Sequence, residues 1–309
     1  MRLALLLRQP RTILLGSSRV VLSTDETRLK GTVYWPAYNA STYNSGLDHR
    51  LSMLRYAAMV DRRLKYLFIE LSPLDVIHAP TFWRLEPVTL SVSNILSDVT
   101  SLFFSSAALS GTLEVLWTNW YQHASDHPEH FGAPWLVRTG TNLIGLKTLP
   151  YSGFVSYGMF PPQAKVDQTW QSSIAKINGT CHEYGLECRL ILTPVNARIL
   201  YGYYYFHEWG EIEALIRQSA TIANSYSFLW FNRFTAEPLN SKISFWLDLI
   251  HYTTVVGDLI MDTISGKNCA EDESCDNFST KLDTPSIGST LAQLRSQRDQ
   301  WIAGRPDIR

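Results

Sequence analysis

Long apolar runs are what this 309-residue chain most obviously lacks. None reaches the ~20 residues a membrane helix needs. The opening Met1 to Leu7 stretch is cut by Arg8 and Pro10 too early to form the apolar core of a secretion signal. An excess of one charge is also missing, since 27 Lys and Arg face 28 Asp and Glu for a net charge of −1. That balance leaves no electrostatic footprint for nucleic acid or an anionic membrane surface, so small or neutral substrates fit better. Cysteine is scarce, with four residues in two close pairs, Cys181 with Cys188 and Cys269 with Cys275. Neither pair has the C-x-x-C spacing of a zinc site or redox dithiol. Each could close a small disulfide loop in an oxidising compartment, or all four could stay thiols. No internal repeat is present.

What the chain does have is apolar content of 45%, with 12% aromatic residues, enough for a large core in one or two domains. Continuous apolar runs at Thr12 to Leu15, Tyr66 to Leu71, Cys188 to Thr193 and Ser227 to Phe231 have turn-forming or polar borders. They suit parallel strands covered on both faces. Helical spacing lies between them: Leu47, Leu51, Leu54 and Ala58 share one face, as do Val166, Trp170, Ile174 and Ile177. Strands alternating with helices predict an α/β fold built on a doubly wound, mainly parallel sheet flanked by helices.

Residues 83–159 follow no sustained period and are expected to form an insertion after strand three. Pro285 and Ser286 open a C-terminal amphipathic helix with Ile287, Leu291, Leu294 and Trp301 on one face. The acidic stretch from Cys269 to Asp276 before it reads as a solvated connector. The expected division is therefore one α/β domain over 1–266, with the connector and final helix of 267–309 packed on it.

Ligands of open α/β sheets bind beyond the carboxyl ends of the strands, which directs attention to "ILLGSSRV" at 13–20. Gly16, Ser17 and Ser18 follow the first strand directly. A serine hydroxyl becomes nucleophilic only beside a base, and the base needs a third group to fix its tautomer. Asp248 and His251 in "FWLDLIHYTTVVGDLI" supply a carboxylate and an imidazole three residues apart. A helix cap and a polar residue near a helix start are the plainer alternative for that pair.

Taken together, the two segments resemble the SGNH (GDSL-type) hydrolase superfamily. The wording of "ILLGSSRV" and "DLIHYTTVVGDLI" is closest to its bacterial cell-envelope branch, similar to alginate O-acetyltransferases and the D-alanyl transfer protein of teichoic acid. "YNASTYN" at 38–44 resembles the second block, "LTPVNARIL" at 192–200 the exit of strand four, and "LAQLRSQRDQW" the terminal helix. The resemblance implies an SGNH-hydrolase, flavodoxin-like fold with Ser18 as nucleophile, Ser17 at the aspartate position of the G-D-S motif, His251 as base and Asp248 as its orienting acid. An ordinary α/β-hydrolase would need glycine where Val20 stands.

Departures from the pattern fall on the oxyanion hole. Asn39 takes the place of the second-block glycine whose backbone N–H donates to the oxyanion, and asparagine tolerates unusual backbone angles. The third block lacks its G-x-N-D asparagine and reads "ELSPLD", leaving Ser72 or Asp75 to fill the space. Loss of one preorganised donor costs ~3 kcal/mol of transition-state stabilisation. Arg19, next to the nucleophile, suits either an acidic polysaccharide or acyl carbonyl, or a structural salt bridge.

Other clusters carry less. His123, His127 and His130 with Asp126 and Glu129 have metal-ligating chemistry, but their polar, proline-containing setting reads as a solvated surface loop. "YGYYYFHEW" at 201–209 could stack sugar rings, though packing against the fold is the better expectation. No metal and no cofactor is expected.

The resemblance thus implies a serine esterase or O-acyltransferase acting on acyl esters of an envelope or exopolysaccharide substrate. No nucleic-acid partner is expected, envelope-biosynthesis partners are implied, and the sequence sets no oligomeric state. The alternative is a non-catalytic polysaccharide-assembly or binding protein on a decayed fold of this type. By resemblance the location is periplasmic or cell-envelope, with an N-terminal membrane anchor upstream of the given start; the lack of a signal in the chain itself would instead fit the cytoplasm.

Overall fold

The computed structural model describes residues 9–43, 45–76, 169–237, 245–267 and 278–305. The insertion at 83–159, its histidine-rich loop, Val166, and Cys269 and Cys275 in the acidic connector lie outside the described residues.

Among the described residues six strands form one sheet in the order β2-β1-β3-β4-β5-β6. They are β1 (Thr12–Leu15), β2 (Ala37–Asn39), β3 (Tyr66–Leu71), β4 (Glu187–Leu192), β5 (Ser225–Ser227) and β6 (Thr280–Leu282). The first five are parallel to their neighbours, and β6 runs antiparallel to β5. Among the described residues seven α-helices surround them: α1 (Ser18–Ser23), α2 (Leu47–Val60), α3 (Thr169–Glu183), α4 (Ala197–Tyr205), α5 (Trp209–Ser219), α6 (Thr254–Ser265) and α7 (Ile287–Ala303). The architecture is α/β with a mostly parallel sheet.

Alternation along the strands sorts the core into two layers. Ile13, Leu15, Leu67, Ile69, Leu190 and Leu192 pack with α2, α3, α4, α5 and α7 on one face. Leu14, Phe68 and Ile191 pack on the other with Val20 of α1 and Val256, Ile260 and Met261 of α6. Both faces are covered, which is why β1 and β3 are buried at every position. The expected faces of α2 and α7 hold for Leu47, Leu51, Leu54, Leu291 and Leu294, all in the first layer.

Two strand expectations need correction. The run expected as a strand over Ser227 to Phe231 pairs only through Ser227. The Phe228 N–H still donates to the Leu192 carbonyl, but the chain then turns, with Trp230 N–H on the Phe228 carbonyl. Phe228 enters one core layer while Leu229, Trp230 and Phe231 enter the other. A short, fully buried run looks the same in sequence whether or not it pairs. β6 was not expected at all, being three residues that cover the free edge of β5.

Cys181 at the end of α3 and Cys188 in β4 are joined by a disulfide, with Cα atoms 6.1 Å apart. It closes the tight connection through Gly185, whose φ of 64° places it in the left-handed region that glycine adopts without steric cost. In the aromatic stretch, Tyr201 and Tyr203 are buried while Tyr204 and Tyr205 are exposed. The Tyr203 hydroxyl donates to the Pro73 carbonyl, and Arg298 of α7 lies 4.4 Å from the Tyr204 ring centre. Tyr201 and Tyr203 thus pack against the fold as expected, while Tyr204 and Tyr205 keep exposed faces.

Candidate active site

The exit of β1 is built around a close approach. A Cβ on Gly16 would lie 2.4 Å from Val20 Cγ2 and 2.7 Å from Glu70 Oε2, so only glycine lets the chain turn there from strand into helix. Ser17 caps α1, its hydroxyl accepting from the Arg19 N–H at 3.4 Å. Ser18 is then the first helical residue, half-buried at the carboxyl edge of the sheet. Its N–H has no acceptor among the described residues, as expected for the first turn of a helix.

His251 arrives from the turn ahead of α6. An isolated antiparallel bridge pairs Trp246 with Tyr252, and the Leu247 N–H donates to the His251 carbonyl at 2.8 Å. Inside this turn, Asp248 Oδ1 accepts from the N–H groups of Ile250 and His251, both at 2.7 Å. Its Oδ2 lies 2.6 Å from His251 Nδ1. The cap of α6 is Thr253, so capping is not what Asp248 does. Across the site, His251 Nε2 lies 2.8 Å from Ser18 Oγ, bridging 233 positions of sequence.

Electrostatics fixes the direction of these bonds. Burial by itself would raise the Asp248 pKa, but the hydrogen bond and charge of His251 and the two backbone N–H groups outweigh it, holding the carboxyl below its ordinary value. An ionised carboxylate only accepts, so His251 Nδ1 carries a hydrogen, and in the neutral imidazole Nε2 is then the nitrogen that accepts from the Ser18 hydroxyl. The imidazole side chain is 17% exposed and that of Asp248 7%, so the base is reachable while its anchor is sealed.

Of the other sequence-derived site residues, Arg19 takes one of its two expected roles, while Ser72 and Asn39 are placed differently from expectation. Arg19 is 3% exposed. Its Nε lies 2.5 Å from Glu70 Oε1 and its Nη1 donates to Ser72 Oγ, so the salt-bridge alternative is the one realised. Ser72 is fully enclosed, at 0%. With Asp75 it forms a capping box over Pro73–Asp75, and Asp75 also binds Arg50 Nη1 at 2.9 Å. Neither is free to replace the third-block asparagine, because both are consumed by the turn that leaves β3.

Asn39, placed by the resemblance at the oxyanion hole, is the last residue of β2, in register with Leu14. Its side chain ties down α1 instead, Nδ2 donating to the carbonyls of Val20 and Thr24 while Oδ1 accepts from the Ser41 N–H. It is not among the described residues with positive φ, so asparagine's tolerance of unusual angles is not used. The chain passing Gly16 is that of Ser41 and Thr42, whose Thr42 N–H donates to the Gly16 carbonyl at 3.0 Å.

The sequence reading missed Glu70 and Arg50. Both are buried, and their side chains approach to 3.8 Å. The available signal was a lone carboxylate inside the apolar run "YLFIEL", since a charge in a strand covered on both faces requires buried partners. Among the described residues no group of three or more His, Cys, Asp or Glu is arranged to hold a metal ion. Nor is any described helix long and apolar enough to cross a membrane.

Comparison with known proteins finds no matching family model, no matching curated protein and no matching solved structure.

Proposed function

We propose that this chain is a serine esterase or O-acyltransferase of SGNH type, and the observation that carries the reading is the hydrogen-bonded series Ser18, His251, Asp248 at the carboxyl edge of the sheet. His251 Nε2 removes the hydroxyl proton as Ser18 Oγ attacks an acyl carbonyl. The tetrahedral intermediate collapses, the carbon–oxygen bond to the leaving alcohol breaks, and that alcohol takes the proton from His251. Water or a sugar hydroxyl then gives its proton to His251 and attacks the acyl-serine, releasing acid or a new ester and restoring Ser18. The N–H of Ser18, which has no acceptor among the described residues, is one donor available to the oxyanion.

Support for the SGNH class comes from the strand order 2-1-3-4-5, the nucleophile directly after β1, and the Asp-x-x-His turn directly before a core helix. The same resemblance makes acyl esters of an envelope polysaccharide the substrate class and the cell envelope the location. A second reading, a non-catalytic polysaccharide-assembly protein, is favoured by one observation: Ser72 and Asp75 are locked in a capping box, so the third-block donor has no evident replacement.

Hydrolysis of p-nitrophenyl acetate by the purified chain tests between them. Turnover is expected in the native protein, with Ser18→Ala and His251→Ala both inactive and still folded by circular dichroism, and Ser17→Ala active. An inert native protein would favour the non-catalytic reading, and loss in Ser17→Ala but not Ser18→Ala would move the nucleophile.

A further inference from the structure

Both neighbours of Ser18 are gripped by one carboxylate. Glu70 Oε2 accepts from the backbone N–H of Ser17 at 2.5 Å, and Oε1 meets Arg19 Nε at 2.5 Å. Thr193 Oγ1, from the exit of β4, lies 3.1 Å from Oε1 and 3.2 Å from the Leu71 carbonyl, its one hydrogen shared between the two acceptors. Alternation along β3 sends Glu70 to the same face as Phe68, the face that carries α1 and α6. Its carboxylate therefore reaches the turn between β1 and α1 from inside the fold.

The surroundings are made for a charge at this point. Arg50 Nη1 donates to the Glu70 carbonyl at 2.8 Å and to Asp75 Oδ2 at 2.9 Å. Arg19, Arg50, Glu70 and Asp75 thus make two cations and two anions, neutral as a set, beneath the nucleophile. Neutrality matters there, because an unbalanced buried anion would oppose the negative charge developing on the acyl oxygen. The fit is also steric, since a Cβ at Gly16 would collide with Glu70 Oε2.

We infer that Glu70 is a positioning residue for Ser18: by holding the Ser17 amide and the Arg19 guanidinium with its two oxygens, it fixes where the Ser18 hydroxyl and N–H point. The inference rests on the proposed catalytic role of Ser18. Glu70 does not meet substrate, and it acts on geometry that matters most in the transition state. A displacement of about 1 Å at such a site costs on the order of 100-fold in rate.

The test is steady-state hydrolysis of p-nitrophenyl acetate by native chain, Glu70→Gln and Thr193→Val, with melting temperatures measured in parallel. In Glu70→Gln the amide oxygen can still accept from Ser17, but its NH₂ group opposes Arg19. The expected result is a kcat lowered at least about tenfold with KM within about twofold, the pattern for an interaction made mainly in the transition state. Thr193→Val leaves the carboxylate in place with one donor fewer, and kcat should fall about two- to fivefold. It keeps the test decisive if Glu70→Gln does not fold. Unchanged kcat in the folded variants, whatever their melting temperatures, would overturn the positioning role while leaving Ser18 catalysis intact. An inert native chain would instead remove the catalytic reading and this inference with it.

Discussion

Gly257 on α6 lies so close to α1 that a Cβ built on it would stand 1.6 Å from the carbonyl oxygen of Ser23. The two helices meet backbone to backbone at this point. Next to it the Ser23 hydroxyl donates to the Tyr252 carbonyl, one residue beyond His251. Contact between α1 and α6 is therefore what sets the separation of Ser18, at the start of α1, from His251, just ahead of α6.

Gly257→Ala should be destabilising despite the better helix propensity of alanine. Propensity favours Ala by about 1 kcal/mol, while forcing a methyl into a closed contact costs about 1–3 kcal/mol. Separation of the helices would shift His251 relative to Ser18, so the proposed ester hydrolysis should fall by more than about tenfold. Thermal melting and kcat/KM measure the two effects, and a raised melting temperature with full activity would contradict the contact.

Asp248→Asn should preserve the turn and lose the chemistry. The asparagine oxygen can still accept from the N–H groups of Ile250 and His251, but its NH₂ group favours the wrong imidazole tautomer if it faces Nδ1. In a serine-protease triad the corresponding change lowers kcat by about 10⁴-fold. Circular dichroism should match the native chain, and a kcat within tenfold of native would rule out Asp248 as the orienting acid.

Acid should weaken the fold through Glu70. Burial alone would raise its pKa, but the charges of Arg19 and then Arg50, together with the Ser17 hydrogen bond, bring it from 4.5 down to about 2. Because the folded value is depressed, the unfolded chain binds the extra proton between these limits. The stabilisation is complete above about pH 4.5 and is lost as pH falls through about 2, on the order of 3 kcal/mol in all. Urea unfolding between pH 4.5 and 2.5 should therefore give a steeper fall in stability for the native chain than for Glu70→Gln. The slopes should differ by up to about 1.4 kcal/mol per pH unit. Equal slopes would mean that Glu70 is not ionised in the fold.

What the sequence determined by itself is what neighbouring residues decide among themselves. The runs at Thr12–Leu15 and Tyr66–Leu71, the amphipathic faces of α2 and α7, and the Cys181–Cys188 pair were all legible. Their physics is local: side-chain period and short loop closure act within a few residues. The Asp248–His251 pairing is local in the same way, being closed inside one turn, but the spacing alone fitted a helix cap as well. Tertiary structure alone decided which charges face solvent and which face each other. Arg19 could have met substrate or a carboxylate, and only the pairing of β1 with β3 put Glu70 beside it. Asn39 could have lined the oxyanion hole, but the register with β1 holds it inside β2, where it binds carbonyls of α1. The meeting of Ser18 with His251 across 233 residues is of this second kind, because it depends on where α1 and α6 cross, and no short stretch of sequence encodes a crossing.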